Sequence, residues 1–299
     1  MSHSSRRDFL KGAVGAGVLA GTGALSLPVV AAAKRSATDW VTLGNSGVKV
    51  TRLAFGTGTY AGRVQRELGQ EEFTKLVRHA YHRGIRFFET ADAYTGMPQM
   101  LSTALKGIPR DSYRLMTKYR TRDMEDPSAT VDRLRKDLNS EYVDIMLLHC
   151  VRVPDWADQF AKLRDELSEA KEKKIIMAHG ASCHGLLPLR NFPGNKWLDV
   201  ALMRVNHDGT KMDSIQTRDT DDKGDVPEVF SHVEKIHAQG TGVLGMKLVG
   251  EGRFTTPEQR EAAMRKVMKS GTVDAVTIGY KSTAEIDEAI ERMNRILNS

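Results

Sequence analysis

The sequence is poor in cysteine: Cys150 and Cys183 are the only two thiols in 299 residues. Two cysteines are too few for an iron–sulfur cluster or a cysteine-rich zinc site, each of which requires about four thiolate ligands. An oxidising compartment would allow a disulfide between them. We predict two free thiols, each at the end of a strand.

Aromatic residues and excess charge are also scarce. Phe, Trp and Tyr make up 6% of the chain, and 44 basic residues are interspersed with 38 acidic ones, for a net charge of +6. There is no basic stripe with interleaved aromatic residues, which is the usual footprint of a nucleic-acid-binding surface. Nucleic acid is therefore not an expected partner.

Sustained hydrophobicity is confined to the N-terminus. A twin-arginine pattern at residues 5–11 (SRRDFLK) precedes a Gly/Ala/Val/Leu stretch and a small-residue end at residues 30–33. That stretch is glycine-rich and interrupted by Pro28, which disfavours a membrane anchor. We predict a twin-arginine (Tat) signal peptide over residues 1–33 and export of the folded protein, residues 34–299, to the periplasm or an equivalent compartment. After removal of the signal peptide, no stable membrane insertion is expected.

The remaining chain lacks the G-x-G-x-x-G motif that is typical of an open dinucleotide-binding sheet. It also has no tight hairpin signals between its apolar runs. Eight apolar runs of strand length alternate with helical segments, at residues 53–56, 87–90, 113–118, 143–149, 175–180, 199–205, 242–248 and 273–279. Strands that alternate with helices indicate a parallel sheet. Eight strand–helix units in about 250 residues favour closure of that sheet into a barrel. We predict an α/β fold, a single-domain (β/α)8 TIM barrel, with residues 207–225 forming a loop over its mouth.

Ionisable side chains follow several of these strands at their carboxyl ends, where the chemistry of such barrels takes place. A tyrosine close to a lysine can donate a proton, because an ammonium group lowers the phenol pKa from about 10. A carboxylate would hold the lysine in place, and a histidine would orient a carbonyl oxygen. These groups suit the protonation of a developing alkoxide. The strand ends carry Glu89, Tyr94, Lys118, His149, Ser182, Cys183, His184, Asn206, His207, Lys247 and Lys281.

Four segments in this order resemble the successive signatures of the aldo-keto reductases: residues 43–50 (LGNSGVKV), 86–94 (RFFETADAY), 116–118 (MTK) and 142–149 (YVDIMLLH). The resemblance spans residues 43–297. It implies a (β/α)8 barrel that reduces a small-molecule aldehyde or ketone with NADPH, with NADH as the alternative cofactor. It also implies roles for nine residues: Tyr94 as general acid, Lys118 as the group that lowers its pKa, His149 as the residue that orients the carbonyl, Glu89 as the carboxylate of the site, and Gly56, Thr57, Ser182, Lys281 and Ser282 as cofactor contacts.

The chain differs from the family pattern at five positions, four of them at cofactor contacts. Glu89 stands where the family has Asp, Cys183 where it has Asn, Leu202 where it has Gln, Met246 where it has an aromatic residue, and Asp287 where it has Arg. We therefore expect the changes to affect cofactor binding more than acid catalysis.

Two alternatives remain open from the residues. Glu89, His149, His184 and His207 form a nitrogen and carboxylate set of the kind that binds a divalent metal in hydrolases or isomerases. A barrel that has lost turnover and acts as a binding protein is the second alternative, because fold does not determine function. The leading interpretation, an exported reductase, further calls for a partner oxidoreductase that would re-reduce the cofactor.

Overall fold

The computed structural model describes residues 34–122, 125–215 and 223–299. The predicted signal peptide lies outside these ranges, as does part of the predicted loop over the mouth. Residues Lys34–Ser299 form one compact unit. Within the described ranges, no helix combines the length and the apolar character that a bilayer crossing requires.

Eight parallel strands close into a barrel, as the sequence predicts. Each strand pairs with the next one along the chain, and the last strand pairs with the first through Val276–Gly279 and Leu53–Gly56. The strands are β3 (Leu53–Gly56), β4 (Phe87–Glu89), β5 (Arg114–Arg120), β6 (Val143–Val151), β7 (Ile176–Cys183), β8 (Val200–Arg204), β9 (Gly242–Met246) and β10 (Ala275–Gly279).

Helices surround the barrel and pack their apolar faces on the outside of the strands. Between β6 and β7 the chain forms two helices that meet at Phe160, whose side chain is buried. The helices are α1 (Arg63–Arg66), α2 (Gly69–His82), α3 (Met97–Leu105), α4 (Pro127–Asp137), α5 (Trp156–Gln159), α6 (Ala161–Glu172), α7 (Leu186–Leu189), α8 (Val226–Ala238), α9 (Pro257–Met268) and α10 (Thr283–Leu297).

An antiparallel hairpin that the sequence did not predict precedes the barrel. Its strands are β1 (Trp40–Thr42) and β2 (Lys49–Thr51). Leu43 and Val50 are fully buried and belong to the same apolar cluster as the barrel interior. Gly44 makes this packing feasible, because a Cβ atom there would lie 2.2 Å from the carbonyl oxygen of Gly240. The hairpin therefore closes the end of the barrel opposite the carboxyl ends of the strands.

The barrel interior is apolar in its lower part and polar toward the carboxyl ends of its strands. Side chains two residues apart on a strand face the same way, so the residues that follow the buried layer also point inward. The buried layer includes Phe87, Met116, Leu147, Leu202, Leu244 and Ala275. The layer above it consequently contains Glu89, Lys118, His149, Arg204, Met246 and Thr277.

Candidate active site

Lys118 is the centre of the candidate site. Its side chain is 1% exposed, and its ammonium group forms an ion pair with the Glu89 carboxylate. The Nζ atom also donates to the Thr90 carbonyl oxygen at 3.0 Å and to the Tyr94 hydroxyl at 3.2 Å. Because an ammonium group has three protons, these three acceptors satisfy it completely. The side chain of Lys118 is thus fixed, with one proton directed at Tyr94.

Glu89 fits beside Lys118 because its surroundings leave room for its extra methylene group. Its second carboxylate oxygen accepts a hydrogen bond from the Thr277 hydroxyl at 3.2 Å. A Cβ atom on Gly56 would lie 2.9 Å from that oxygen and 2.5 Å from the hydroxyl. Gly56, which the resemblance assigns to cofactor binding, is therefore placed directly behind the Glu89 carboxylate.

Tyr94 is half-buried beside Gly58, with its ring edge-to-face against His149 at 5.5 Å between centroids. Burial raises the pKa of Tyr94 well above its ordinary value, and the carboxylate of Glu89 raises it further. The net shift is upward, because burial disfavours the charged phenolate and outweighs any lowering by the nearby Lys118 ammonium group. The role expected for Lys118 therefore stays a prediction.

His149 has the opposite shift. Burial lowers the pKa of His149 well below its ordinary value of 6.5, and the positive charges of Lys118, Arg120, Arg152 and Lys247 act in the same direction. The imidazole is therefore neutral at physiological pH and carries one N–H donor. A neutral donor next to a phenol is suited to hold a carbonyl oxygen.

Two adjoining cavities lie at the mouth of the barrel. The smaller has a volume of about 70 Å³ and is lined by Tyr94, Glu89, Leu202 and Met246, among others. The larger, of about 520 Å³, shares Thr59, Val249, Glu251 and Gly279 with it and extends to Lys281 and α10. A volume of this size is typical of small-molecule and cofactor sites. The pair suits an elongated ligand with one reacting end at Tyr94.

Lys247 and Glu251 form an ion pair at the edge of the smaller cavity. Lys247 follows β9, and Glu251 lies in a short 3-10 turn (Gly250–Gly252). Both residues have positive φ angles, 60° and 56°. Glu251 also contributes to the raised pKa of Tyr94. Sequence reasoning missed Glu251, because no periodicity or motif marks a single acidic residue in a glycine-rich turn.

The other residues implied as cofactor contacts occupy varied positions. Thr57 is buried, and within the described ranges its hydroxyl has no hydrogen-bond partner. The Ser182 hydroxyl accepts a hydrogen bond from the Cys150 N–H at 2.8 Å. Lys281 lines the larger cavity, while the Ser282 hydroxyl caps α10 by accepting from the Glu285 N–H at 3.3 Å.

Asp287, which stands where the resemblance calls for an arginine, does not line the larger cavity. Its carboxylate binds His79 and Arg83 at 2.9 Å and 2.8 Å. This acidic residue thus contributes to the contact between α10 and α2, and the cavity lacks the cation expected there.

Both cysteines are free thiols in the structure, as predicted. The Cys150 sulfur accepts a hydrogen bond from Arg152 Nε at 3.0 Å. Cys183 is buried and donates to the carbonyl oxygen of Gly185 at 3.3 Å. Neither thiol reaches the smaller cavity.

The structure does not support the metal-site alternative. Glu89 is engaged by Lys118, and His184 contacts the buried guanidinium of Arg204. The ring of His207 packs against Phe254, with 5.0 Å between centroids. Across residues 34–122, 125–215 and 223–299, no group of three or more His, Cys, Asp or Glu side chains is arranged to hold a metal ion.

Comparison with known proteins agrees with the geometry. The model of the Aldo/keto reductase family matches residues 52–299. A probable aldo-keto reductase 1 of Glycine max is 27% identical over 163 residues, which are 46% of this chain and 47% of that protein. L-galactose dehydrogenase of Arabidopsis thaliana is 36% identical over 119 residues, or 36% of each chain. The chain thus spans about half or less of the length of these curated relatives.

Solved structures show the same fold. An aldo-keto reductase from Bacillus halodurans in its holo form has a TM-score of 0.65 and 19% identity, over 86% of this chain and 94% of that one. An aldo/keto reductase from Brucella melitensis has a TM-score of 0.61 and 16% identity, over 87% and 98%. Because the sequence identity is so low, these structural similarities show the fold and nothing further.

Proposed function

Because this chain belongs to the aldo/keto reductase family, we propose that it reduces an aldehyde or ketone with a reduced nicotinamide cofactor, using Tyr94 as the general acid. The observation that carries the proposal is the hydrogen-bonded series Glu89–Lys118–Tyr94 next to His149 at the mouth of the barrel. In this series Tyr94 would donate the proton. The ammonium group of Lys118, 3.2 Å from the Tyr94 hydroxyl, would then stabilise the phenolate.

The two adjoining cavities support the fit of a nicotinamide cofactor. The smaller cavity would hold the reacting ring against Tyr94, with Met246 and Leu202 as its apolar walls. The larger cavity, lined by Lys281 and closed by α10, would hold the rest of the molecule. The buried hydroxyl of Thr57, which lacks a partner within the described ranges, is a further polar group near this path. The bound cofactor would supply a hydride to the carbonyl carbon.

The side chains of the site would handle the proton. The carbonyl oxygen would accept hydrogen bonds from the neutral imidazole of His149 and from the Tyr94 hydroxyl. As negative charge develops on that oxygen, Tyr94 transfers its proton to it, because an alkoxide is a much stronger base than a phenolate. The Lys118 ammonium group then stabilises the phenolate until solvent returns a proton. Two electrons and one proton arrive with the hydride, and Tyr94 supplies the second proton.

We propose NADPH as the cofactor, with NADH as the alternative. The cationic groups at the far end of the larger cavity, Lys281, Arg260 and Arg292, favour an additional phosphate. Glu288 binds both arginines, at 2.8 Å and 2.5 Å, which reduces this preference.

Calorimetric titration of the purified protein with NADPH, and separately with NADH, tests the cofactor assignment. Micromolar binding of either nucleotide, together with reduction of aldehydes that is lost in Tyr94→Phe, is the expected result. Tyr142→Phe is the matched control, because Tyr142 stacks with Arg110 away from the mouth. If neither nucleotide binds, the reductase proposal fails and a binding protein on a reductase scaffold becomes the better description.

We further propose that the protein is exported by the twin-arginine pathway and acts with a partner oxidoreductase that re-reduces its cofactor. Support comes from the sequence of residues 1–33, which lie outside the described structure. Cell fractionation of the full chain and of the double substitution Arg6→Lys, Arg7→Lys tests this. Export of the parent but not of the variant is expected, and equal distribution of both would contradict the proposal.

A further inference from the structure

Arg120 lies beside the proposed catalytic histidine at the rim of the barrel. It is the last residue of β5 and faces the same way as Lys118, because side chains on a strand alternate. Its register partner on β6 is His149. Neighbouring strands are about 4.8 Å apart, so Arg120 and His149 start side by side on adjacent strands, each two residues beyond the Lys118–Leu147 register pair.

The charge of Arg120 is poorly compensated. Its Nη2 donates to the carbonyl oxygen of Asp92 at 3.3 Å, and within the described ranges its Nε has no hydrogen-bond partner. The Asp92 carboxylate is 4.0 Å from that Nε and receives a closer contact, 2.9 Å, from Arg133. The side chain is 29% exposed. A guanidinium has five N–H donors; because Nε is buried, the donors that Arg120 retains for a ligand at the mouth are those of its partly exposed Nη groups.

The surroundings of His149 are positive overall on this side. Arg152 follows the same strand, with its Nε 3.0 Å from the Cys150 sulfur. Arg120 and Arg152 both act on the His149 imidazole as positive charges, whereas the nearby Lys118 and Lys247 are paired with Glu89 and Glu251. A cleft of one sign of charge concentrates ligands of the opposite sign. The β5 and β6 side of the mouth therefore favours an anionic group near the reacting carbonyl.

We propose that the physiological substrates of this enzyme are carbonyl compounds that carry a carboxylate, which Arg120 binds at the rim while the carbonyl oxygen faces Tyr94 and His149. This inference rests on the proposed reductase function and specifies its substrate class. Arginine suits the task because its planar fork matches a carboxylate with two parallel hydrogen bonds. The carboxylate would also fix the distance between the charged end and the reacting end of the substrate.

A pair of aldehydes that differ in charge tests the proposal on the full chain. 4-Carboxybenzaldehyde and its methyl ester have similar size, and kcat/KM is measured for both. We expect the parent protein to prefer the acid at least tenfold. Arg120→Gln should lower kcat/KM for the acid by about 10- to 100-fold, the usual range for a charged hydrogen bond, and change the ester less than threefold. Equal losses for both aldehydes, or no preference in the parent, would overturn the inference.

Two matched variants exclude trivial explanations. Arg133→Gln removes the other arginine that contacts Asp92 and should leave the preference for the acid intact. Arg120→Lys should retain part of that preference, because it keeps the charge but loses the fork. The preference should also weaken in high salt, since partly exposed charges are screened. If Arg133→Gln abolishes the preference as fully as Arg120→Gln, the effect belongs to Asp92 and the assignment to Arg120 is wrong.

A binding measurement separates this inference from the function on which it rests. Calorimetry with 4-(hydroxymethyl)benzoate, the alcohol that corresponds to the acid, requires no turnover. Binding that is lost in Arg120→Gln, in a protein that binds neither NADPH nor NADH, would support the carboxylate site and refute the reductase proposal. If the ester is reduced at the same rate as the acid and 4-(hydroxymethyl)benzoate does not bind, the reductase proposal is supported and the carboxylate site is refuted.

Discussion

The Lys118 ammonium group lies 3.2 Å from the Tyr94 hydroxyl, and yet the pKa of that phenol is raised. Burial is the largest cause of this shift, because it disfavours the charged phenolate, and the Glu89 carboxylate, which pairs with the same ammonium group, raises the pKa further. Tyr94 is therefore protonated at neutral pH. In the proposed reaction, Lys118 would act mainly after proton transfer, when a phenolate is present.

Tyr94→Phe should lower kcat by about 10²- to 10⁴-fold, the usual contribution of a positioned general acid. Phenylalanine keeps the ring and its contact with His149, so the fold and the Kd for the cofactor should change little. Steady-state kinetics and calorimetry on the same preparations measure the two effects. Retention of more than a tenth of the parent kcat would show that another group donates the proton.

The pH profile for reduction should be flat through the neutral range. Tyr94 must be protonated, and its raised pKa keeps it so beyond its ordinary value of 10.0. His149 must be neutral, and its lowered pKa keeps it so below its ordinary value of 6.5. Both required forms therefore coexist through the neutral range. The measurement is kcat/KM against pH, and an inflection near pH 6.5 that disappears in His149→Gln would contradict the assignment.

Glu89→Gln should destabilise the protein severely. The substitution leaves the buried ammonium of Lys118 without its counter-charge, which typically costs about 3–5 kcal/mol of unfolding free energy. Urea denaturation at pH 7 measures it. Glu71→Gln is the control, because that ion pair with Lys75 is exposed and should contribute nothing measurable. Equal stability of parent and Glu89→Gln would mean that Lys118 is uncharged in the folded protein.

The fold and the residues of the candidate site could be predicted because both depend on strand order. Once eight parallel strands close in sequence, every residue at a carboxyl end is brought to one mouth. Glu89, Lys118 and His149 lie in the last three residues of three consecutive strands, and Tyr94 follows the first of these strands. No detailed packing was required to place these four groups together.

The electrostatics of the site could not be predicted, because they depend on distances that strand order does not fix. The direction of the Tyr94 shift follows first from its burial and then from the Glu89 carboxylate, with a smaller contribution from Glu251, which reaches the site from a turn far away in the sequence. The N-terminal hairpin was missed for a similar reason. Its strands have three residues each, which is too short for a pattern, and packing on the barrel interior helps to stabilise them.

Gly58→Ala should impair catalysis more than folding. A Cβ atom at this position would lie 2.6 Å from the Tyr94 phenolic oxygen and 2.8 Å from the ring carbon that bears it. The ring would therefore have to move away from Lys118, and a displacement of about 1 Å at a catalytic group costs up to about 10²-fold in rate. We expect a lower kcat with a Tm close to that of the parent. Unchanged kcat would show that Tyr94 reacts from a different position.

Acid should destabilise the fold through its buried histidines. Burial lowers the pKa values of His149, His179 and His184 below 6.5. For a group of this kind the folded state binds fewer protons than the unfolded chain, so its stabilisation is complete above pH 6.5 and is lost as the pH falls below it. Each such histidine contributes a slope of at most about 1.4 kcal/mol per pH unit.

His179 allows this linkage to be tested outside the candidate site. Its ring stacks on Trp197 at 4.5 Å between centroids, so His179→Phe retains the stacking and removes the titration. The unfolding free energy, measured in urea between pH 7.5 and pH 5, should depend less steeply on pH in this variant than in the parent. His82→Gln at an exposed position is the control and should leave the slope unchanged. An identical slope in parent and His179→Phe would mean that His179 is protonated as readily in the folded protein as in the unfolded chain.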